Sequence, residues 1–291
     1  MRTAVVTDER GLIGAALVRA LRNRGVDVHA GIDAIRSVKP DVVFACSGRS
    51  GGVHTNLREP ASLMLDNLEH IVAIHRAAED AGVERLLYFA SSCCYPRDCV
   101  QPMQEAALFT GPVEPTSEAY AIAKQAGIAL CAAVRRQSGR RYTAVIPADC
   151  YGPGDEFHPD RSHVLAALVR RFVEAKRENA AEVVVWGTGT PERDFLHADD
   201  LADGACLVAE RDVEGPINIG SGVGTSIRTL AEVVQTAVGF EGRLRFDPTR
   251  PDGAPRKVLD AARMAALGWR PRVGLPEGVA ATVRWYLNPQ A

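Results

Sequence analysis

The chain has 291 residues, with 34 Lys plus Arg against 36 Asp plus Glu and a formal net charge of −2. That length allows a large core in one or two domains, and the near-neutral balance gives no electrostatic reason to expect nucleic acid or a membrane surface as partner. No stretch approaches the roughly 20 apolar residues of a membrane span, and the seven cysteines, lacking metal-like or secreted spacing, read as reduced thiols of a cytoplasmic protein.

Met1-Arg-Thr-Ala-Val-Val-Thr7 runs straight into a strand, which argues against a signal peptide. In chain order, residues 3–7 are expected as a strand, 12–24 as a helix, and 26–30 and 42–46 as strands. Residues 61–81 form a long helix with apolar positions at helical spacing, 86–90 a strand, 117–138 a helix and 142–147 a strand. Such alternation predicts an α/β fold, a doubly wound Rossmann-type parallel sheet with right-handed crossovers. Beyond Asp149, Tyr151-Gly-Pro-Gly154 breaks the chain. A helix at 163–176, a strand at 182–186 and a turn at 187–191 follow. Residues 199–210 and 217–220 read as a further helix and strand of the first sheet, and 225–238 opens a helical, loop-rich remainder. The expected division is a dinucleotide-binding domain of residues 1–150 and 194–222, with a smaller, discontinuous substrate domain of residues 151–193 and 223–291.

A strand, a Gly-rich turn and a helix make a dinucleotide site, because glycines let the backbone approach a pyrophosphate resting on the helix N-terminus. The turn here is Thr7-Asp-Glu-Arg-Gly-Leu-Ile-Gly14. Gly11 and Gly14 fit, with Leu12 and Ile13 opening the helix, but Asp8 stands where the tightest first glycine is expected. Its carboxylate would repel a pyrophosphate, and Arg10 is the candidate to offset it or to pair with a 2′-phosphate. The segment 31–40 is short for a full crossover with an adenosine-binding loop. Asp33 is its weak candidate for the ribose, a surface carboxylate being the plainer explanation.

Tyr120 and Lys124 share a helix face at i and i+4. An ammonium beside a phenol is expected to lower the phenol pKa from about 10 and fit it for proton exchange with a substrate oxygen. A lone Tyr-x-x-x-Lys is usually a solvated helix face. Here the apolar run Arg85–Ala90 delivers Ser91 to a strand end, where ligands of such sheets bind. Cys93, two residues on, faces the same pocket if the segment stays extended. His163 opens a helix of the second domain. A thiolate and an imidazole on opposite sides of a sugar could remove and return protons next to a ketone, with Tyr120 and Ser91 holding the enolate oxygen. Alone, Cys93 reads as a small core residue and His163 as a helix cap.

These strings, with Glu114-Pro-Thr-Ser-Glu-Ala-Tyr120, Ser162-His-Val164, Val183-Val-Val-Trp-Gly-Thr-Gly-Thr-Pro191, Arg193-Asp-Phe-Leu-His197 and Pro251-Asp-Gly-Ala-Pro-Arg-Lys257, resemble the GDP-L-fucose synthases of the extended short-chain dehydrogenase/reductase family over nearly the whole chain. The resemblance implies C3 and C5 epimerisation of a nucleotide-linked 4-keto-6-deoxyhexose, then C4 reduction by NADPH. It makes Ser91, Tyr120 and Lys124 the reductase triad, Cys93 the epimerisation base and His163 the acid. It places Asp8, Arg10, Gly11, Leu12, Ile13, Gly14, Lys124, Pro147 and His163 at the cofactor, and Arg171, Trp186, Arg193 and Lys257 at the nucleotide-sugar. By analogy a homodimer is expected through helices 61–81 and 117–138. Departures gather on the cofactor side: Asp8, the shortened 31–40 segment, and Pro147-Ala-Asp149 for the family's Pro-Thr-Asn. Two other readings stand beside this one, a 3,5-epimerase without hydride transfer and, from another class, a non-catalytic nucleotide-sugar or NADP sensor.

Overall fold

The computed structural model describes residues 1–288. β1 (Thr3–Val6), α1 (Leu12–Arg22), β2 (Asp27–Ala30), α2 (Ile32–Val38) and β3 (Val42–Ala45) open the chain. They are followed by α3 (Val53–Arg58), α4 (Pro60–Asp80), β4 (Arg85–Phe89), α5 (Glu118–Ser138) and β5 (Arg141–Pro147). Next come β6 (Asp149–Tyr151), α6 (Val164–Arg177), β7 (Glu182–Trp186), β8 (Glu192–His197), α7 (Ala198–Glu210) and β9 (Ile217–Ile219). β10 (Gly224–Ser226), α8 (Ile227–Val238), β11 (Arg243–Asp247), β12 (Arg256–Lys257), α9 (Ala262–Ala266) and α10 (Leu275–Leu287) complete it.

Among the described residues, six strands pair in the order β2-β1-β3-β4-β5-β9, every neighbour parallel. This is the α/β, Rossmann-type sheet that the alternating sequence predicts. β3, Val-Val-Phe-Ala, is buried along its whole length, as a parallel strand covered on both faces must be. α1 packs against α7 and α4 against α5 to provide the cover. The strand order turns at β1, which has β2 on one side and β3 on the other, so a crevice opens beyond the carboxyl ends of β1 and β3. Thr7 and Ser47 pin those two ends together. The Thr7 Oγ1 donates to Ser47 Oγ at 3.0 Å and accepts from Ser47 N at 3.0 Å.

The segment 31–40, short for a full crossover, still holds the seven-residue α2. Gly31 makes this possible by turning at φ 83° while donating to Val6 O at 3.1 Å. The helix expected from 225 starts instead at Ile227, because Ser226 caps it by accepting from Thr229 N at 3.0 Å. Residues 224–226 pair with β8 as a strand.

The sequence patterning did not bring out a second sheet, β10-β8-β12 with β6 also on β8. β8 runs through the point between residues 193 and 194 where the sequence analysis divides the chain. A buried cluster that includes Leu168, Val169, Phe172, Leu230, Val234 and Val279 is separate from the one around the first sheet. Asp194 fastens β8 to the loops after β9 and β12. At 2% exposure its carboxylate accepts from Ser221 N at 2.9 Å, Gly222 N at 3.2 Å, Leu259 N at 3.3 Å and the Ser221 hydroxyl. Removing it strands one buried donor, Leu259 N, and three part-buried ones. Asp194→Ala is therefore expected to cost roughly 3 kcal/mol, read as a lowered unfolding midpoint. An unchanged midpoint would mean that these loops hold without the carboxylate.

Candidate active site

β4 ends at Phe89, and two residues later Ser91 caps a short 3-10 turn, Ser92–Cys94. The Ser91 Oγ accepts from Cys93 N at 3.2 Å. The segment is therefore not extended, as spacing alone suggested. The serine cap, rather than the pleat of a strand, sets where Cys93 points. Its sulfur accepts from Lys257 Nζ of β12 at 3.5 Å. Burial works to lower the Lys257 pKa, but Cys93 and the Asp149 carboxylate outweigh it and the net shift is upward. The Tyr120 phenol lies beside the Ser91 side chain.

Lys124 reaches the same strand end from α5. It is only 5% exposed; its Nζ donates to Phe89 O at 3.1 Å and lies 5.3 Å from the centre of the Tyr88 ring and 5.9 Å from that of Tyr120. Burial pulls its pKa from 10.5 down to about 8. The expectation that Lys124 lowers the Tyr120 pKa is not met. Burial pushes the phenol up, Cys93 and Cys94 add to the rise, and only the neighbouring Ser91 hydroxyl opposes it. The ammonium is turned to a backbone carbonyl instead of the phenolic oxygen. Gly48 leaves the room for this: a Cβ there would lie 3.0 Å from Lys124 Nζ and 2.7 Å from Asn67 Oδ1.

His163 stands at the N-cap of α6, yet its side chain makes no capping bond. It lies beside Asp155, a carboxyl 8% exposed whose Oδ2 has no hydrogen-bond partner among the described residues. Burial raises the Asp155 pKa to about 6, with Glu156 N and the His163 charge acting against the rise. The structure thus brings Ser91, Cys93, Tyr120, Lys124 and Lys257 together. It does not place His163 in bonding contact with Cys93.

Arg193 Nη1 donates to Glu192 O and Ala254 O, both at 2.7 Å. Burial lowers its pKa, with Asp149, Cys93 and Asp252 opposing, so Arg193 lies within electrostatic reach of Cys93. Arg171 donates through Nη2 to Val184 O of β7. Trp186 at the end of β7 is 55% exposed, with the Arg250 guanidinium 5.0 Å from the centre of its ring. Sequence reasoning did not assign Asp252, which accepts from Thr188 N at 3.0 Å and Thr188 Oγ1 at 2.7 Å. Its signal was the acid inside the quoted Pro251-Asp-Gly string. Asp155 was likewise unassigned, and nothing in its spacing marks it.

At the nucleotide loop, Gly14 is demanded by packing, since a Cβ would come within 1.5 Å of Asp8 O. Leu12 and Ile13 start α1 and pack on the core. Arg10 does not offset Asp8; its exposed side chain lies 3.7 Å from Glu9. Pro147 closes β5 opposite Ile219, and Asp33 sits exposed in the first turn of α2.

Residues 30–220 match the NAD dependent epimerase/dehydratase family. GDP-L-fucose synthase 1 of Arabidopsis thaliana is 46% identical over 97% of this chain and 92% of its own length. GDP-L-fucose synthase of Escherichia coli K12 is 42% identical over 98% of this chain and 96% of its own. A solved GDP-mannoheptose C4 reductase from Campylobacter jejuni with NADP bound superposes with a TM-score of 0.88 at 27% identity, covering 99% and 98% of the two chains. The chain belongs to the NAD dependent epimerase/dehydratase family.

A dinucleotide of the kind the family name implies finds much of its seat here. The amino end of α1 offers backbone amides, of which Gly11 N alone is taken by a side chain, Asp8, Gly14 gives close packing, and Lys124 lies beside Gly48. Asp8 alone runs against it, an anion where an anion is to bind. The lowered Lys124 pKa has a consequence for stability. The folded chain holds fewer protons than the unfolded one between about pH 8 and 10.5, so stability rises with pH across that window and the burial cost is full below it. Lys124→Met is expected to stabilise the protein at pH 7 by about 2 kcal/mol, the gain shrinking toward pH 10. Denaturant unfolding at the two pH values checks this; an equal effect at both would mean that the lysine is not strained by burial.

Proposed function

We propose that the chain is an NADP-dependent epimerase-reductase of a GDP-linked 4-keto-6-deoxyhexose, epimerising C3 and C5 and then reducing C4. The observation that carries this reading is the convergence of Tyr120 and Ser91 beside the Cys93–Lys257 contact. It supports a proton donor, a holder for the carbonyl oxygen and a sulfur base at one strand end. The relatives named as GDP-L-fucose synthases and the reductase solved with NADP support the substrate class and the cofactor. Retention of the whole constellation favours catalysis over a sensor.

A ketone at C4 acidifies the protons at C3 and C5 by spreading charge onto O4. At each carbon Cys93 takes the proton from one face and His163, with Asp155 behind it, gives one from the other; between the two inversions Cys93 loses its proton to solvent and His163 regains one from it. Ser91 and Tyr120 hold O4 throughout. NADPH, when bound, supplies the hydride that arrives at C4. Tyr120 then gives its proton to O4. Its raised pKa keeps the resting phenol protonated until O4 calls for the proton, and Lys124, which would hold the nicotinamide ribose, would stabilise the phenolate left behind. Arg193, Arg171 and Trp186 serve the nucleotide-sugar, arginine suiting a diphosphate; we assign residues 151–193 and 223–291 to that half and residues 1–150 and 194–222 to the dinucleotide. Lys257 attends Cys93.

Leu65 and Val72 of α4 and Ile122 of α5 are exposed at 59%, 45% and 41%. We infer that these helices pair two chains into a homodimer, and a sedimentation mass of one chain would remove that inference. No helix among the described residues is long and apolar enough to cross a membrane, and the cysteines there are free thiols, which suits the cytoplasm.

Two variants test the reaction. Cys93→Ser is expected to abolish solvent-deuterium uptake at C3 and C5 of the 4-keto sugar without touching cofactor affinity. Tyr120→Phe is expected to slow NADPH oxidation by about 10²–10⁴-fold while leaving some uptake. Undiminished uptake in the first, or undiminished oxidation in the second, would remove that residue from its role.

A further inference from the structure

In a dinucleotide loop the second glycine lacks a side chain so that the backbone can approach the pyrophosphate. In this chain that glycine is Gly11, and the space beside it is already taken. The Asp8 Oδ1 accepts from Gly11 N at 3.2 Å, and a Cβ on Gly11 would lie 2.4 Å from Asp8 Oδ2. The carboxylate thus lies over the bare face of Gly11 and bonds the amide at the amino end of α1, where unpaired N–H groups and the helix dipole favour an anion. The nearest arginine in sequence, Arg10, is engaged with Glu9.

We propose that the Asp8 carboxylate is an internal competitor for the cofactor pyrophosphate, so that the dinucleotide binds only as Asp8 swings off Gly11. The side chain acts in two ways. It fills the seat, and it carries a like charge toward the phosphates. The swing is open to it, because Asp8 is only half-buried and its contact to Gly11 is one hydrogen bond. The apo loop gains order from this bond, and the holo loop must give it up. Asp8 thereby sets nucleotide affinity without touching the reacting atoms.

The inference rests on the NADP reading, and the test separates the two. NADPH is titrated into wild type, Asp8→Gly and Asp8→Asn, following nicotinamide fluorescence, with the unfolding midpoint of each apo protein measured alongside. Asp8→Gly is expected to bind NADPH more tightly by about tenfold or more, the order expected for removing a like charge at this range from a partly solvated site. Its apo midpoint should fall slightly with loss of the Gly11 bond. Asp8→Asn keeps an acceptor for Gly11 N but no charge, so it should fall between wild type and Asp8→Gly. Wild-type affinity, or weaker binding, in Asp8→Gly would overturn the inference and leave the NADP reading standing. No binding by any of the three would overturn both.

Discussion

A lysine ammonium at the end of β4, 5% exposed and bonded to one backbone carbonyl, governs the geometry of this site. A charge in that setting is under strain, and the lowering of its pKa to about 8 measures the strain. Its surroundings are shaped to tolerate it. Gly48 has no side chain because one would collide with Nζ, and the Tyr88 ring offers its face. In the resting state Lys124 is spent on Phe89 O, and burial keeps the proton on Tyr120.

The two halves of the fold meet at this point. The first sheet supplies Ser91, Cys93, Tyr120 and Lys124 from one strand end and one helix. The second sheet supplies Lys257 from β12 and Arg193 from β8. Asp194, next to Arg193, is buried and bonded to the loops after β9 and β12, so the position of the arginine is inherited from a structural anchor. The Cys93–Lys257 contact spans 164 residues of sequence, which is why it depends on the whole fold.

The first sheet was legible because its strands are short apolar runs between amphipathic helices, and because i, i+4 spacing fixes Tyr120 and Lys124 on one face. The second sheet was hidden. β6, β10 and β12 have three residues or fewer, too few to show a period. β8 alternates weakly, since Asp194 is buried for its hydrogen bonds and not for apolarity. The placement of Ser91, Cys93 and His163 at strand and helix ends could be read from sequence, but their chemistry could not. Whether Cys93 sits on a strand or a capped turn depends on the Ser91 hydroxyl. Whether Lys124 lowers or ignores the phenol depends on Phe89 O. The charge carried by Asp8 was visible in the sequence, and only the structure shows it resting on Gly11.

The most direct measurement is to let wild-type protein convert GDP-4-keto-6-deoxymannose with NADPH in deuterium oxide and to map the isotope in the product by NMR. Epimerisation before reduction requires deuterium at C3 and C5 and protium, from the hydride, at C4. Protium retained at C3 and C5 would contradict it, making the protein a plain C4 reductase with Cys93 and His163 outside the chemistry.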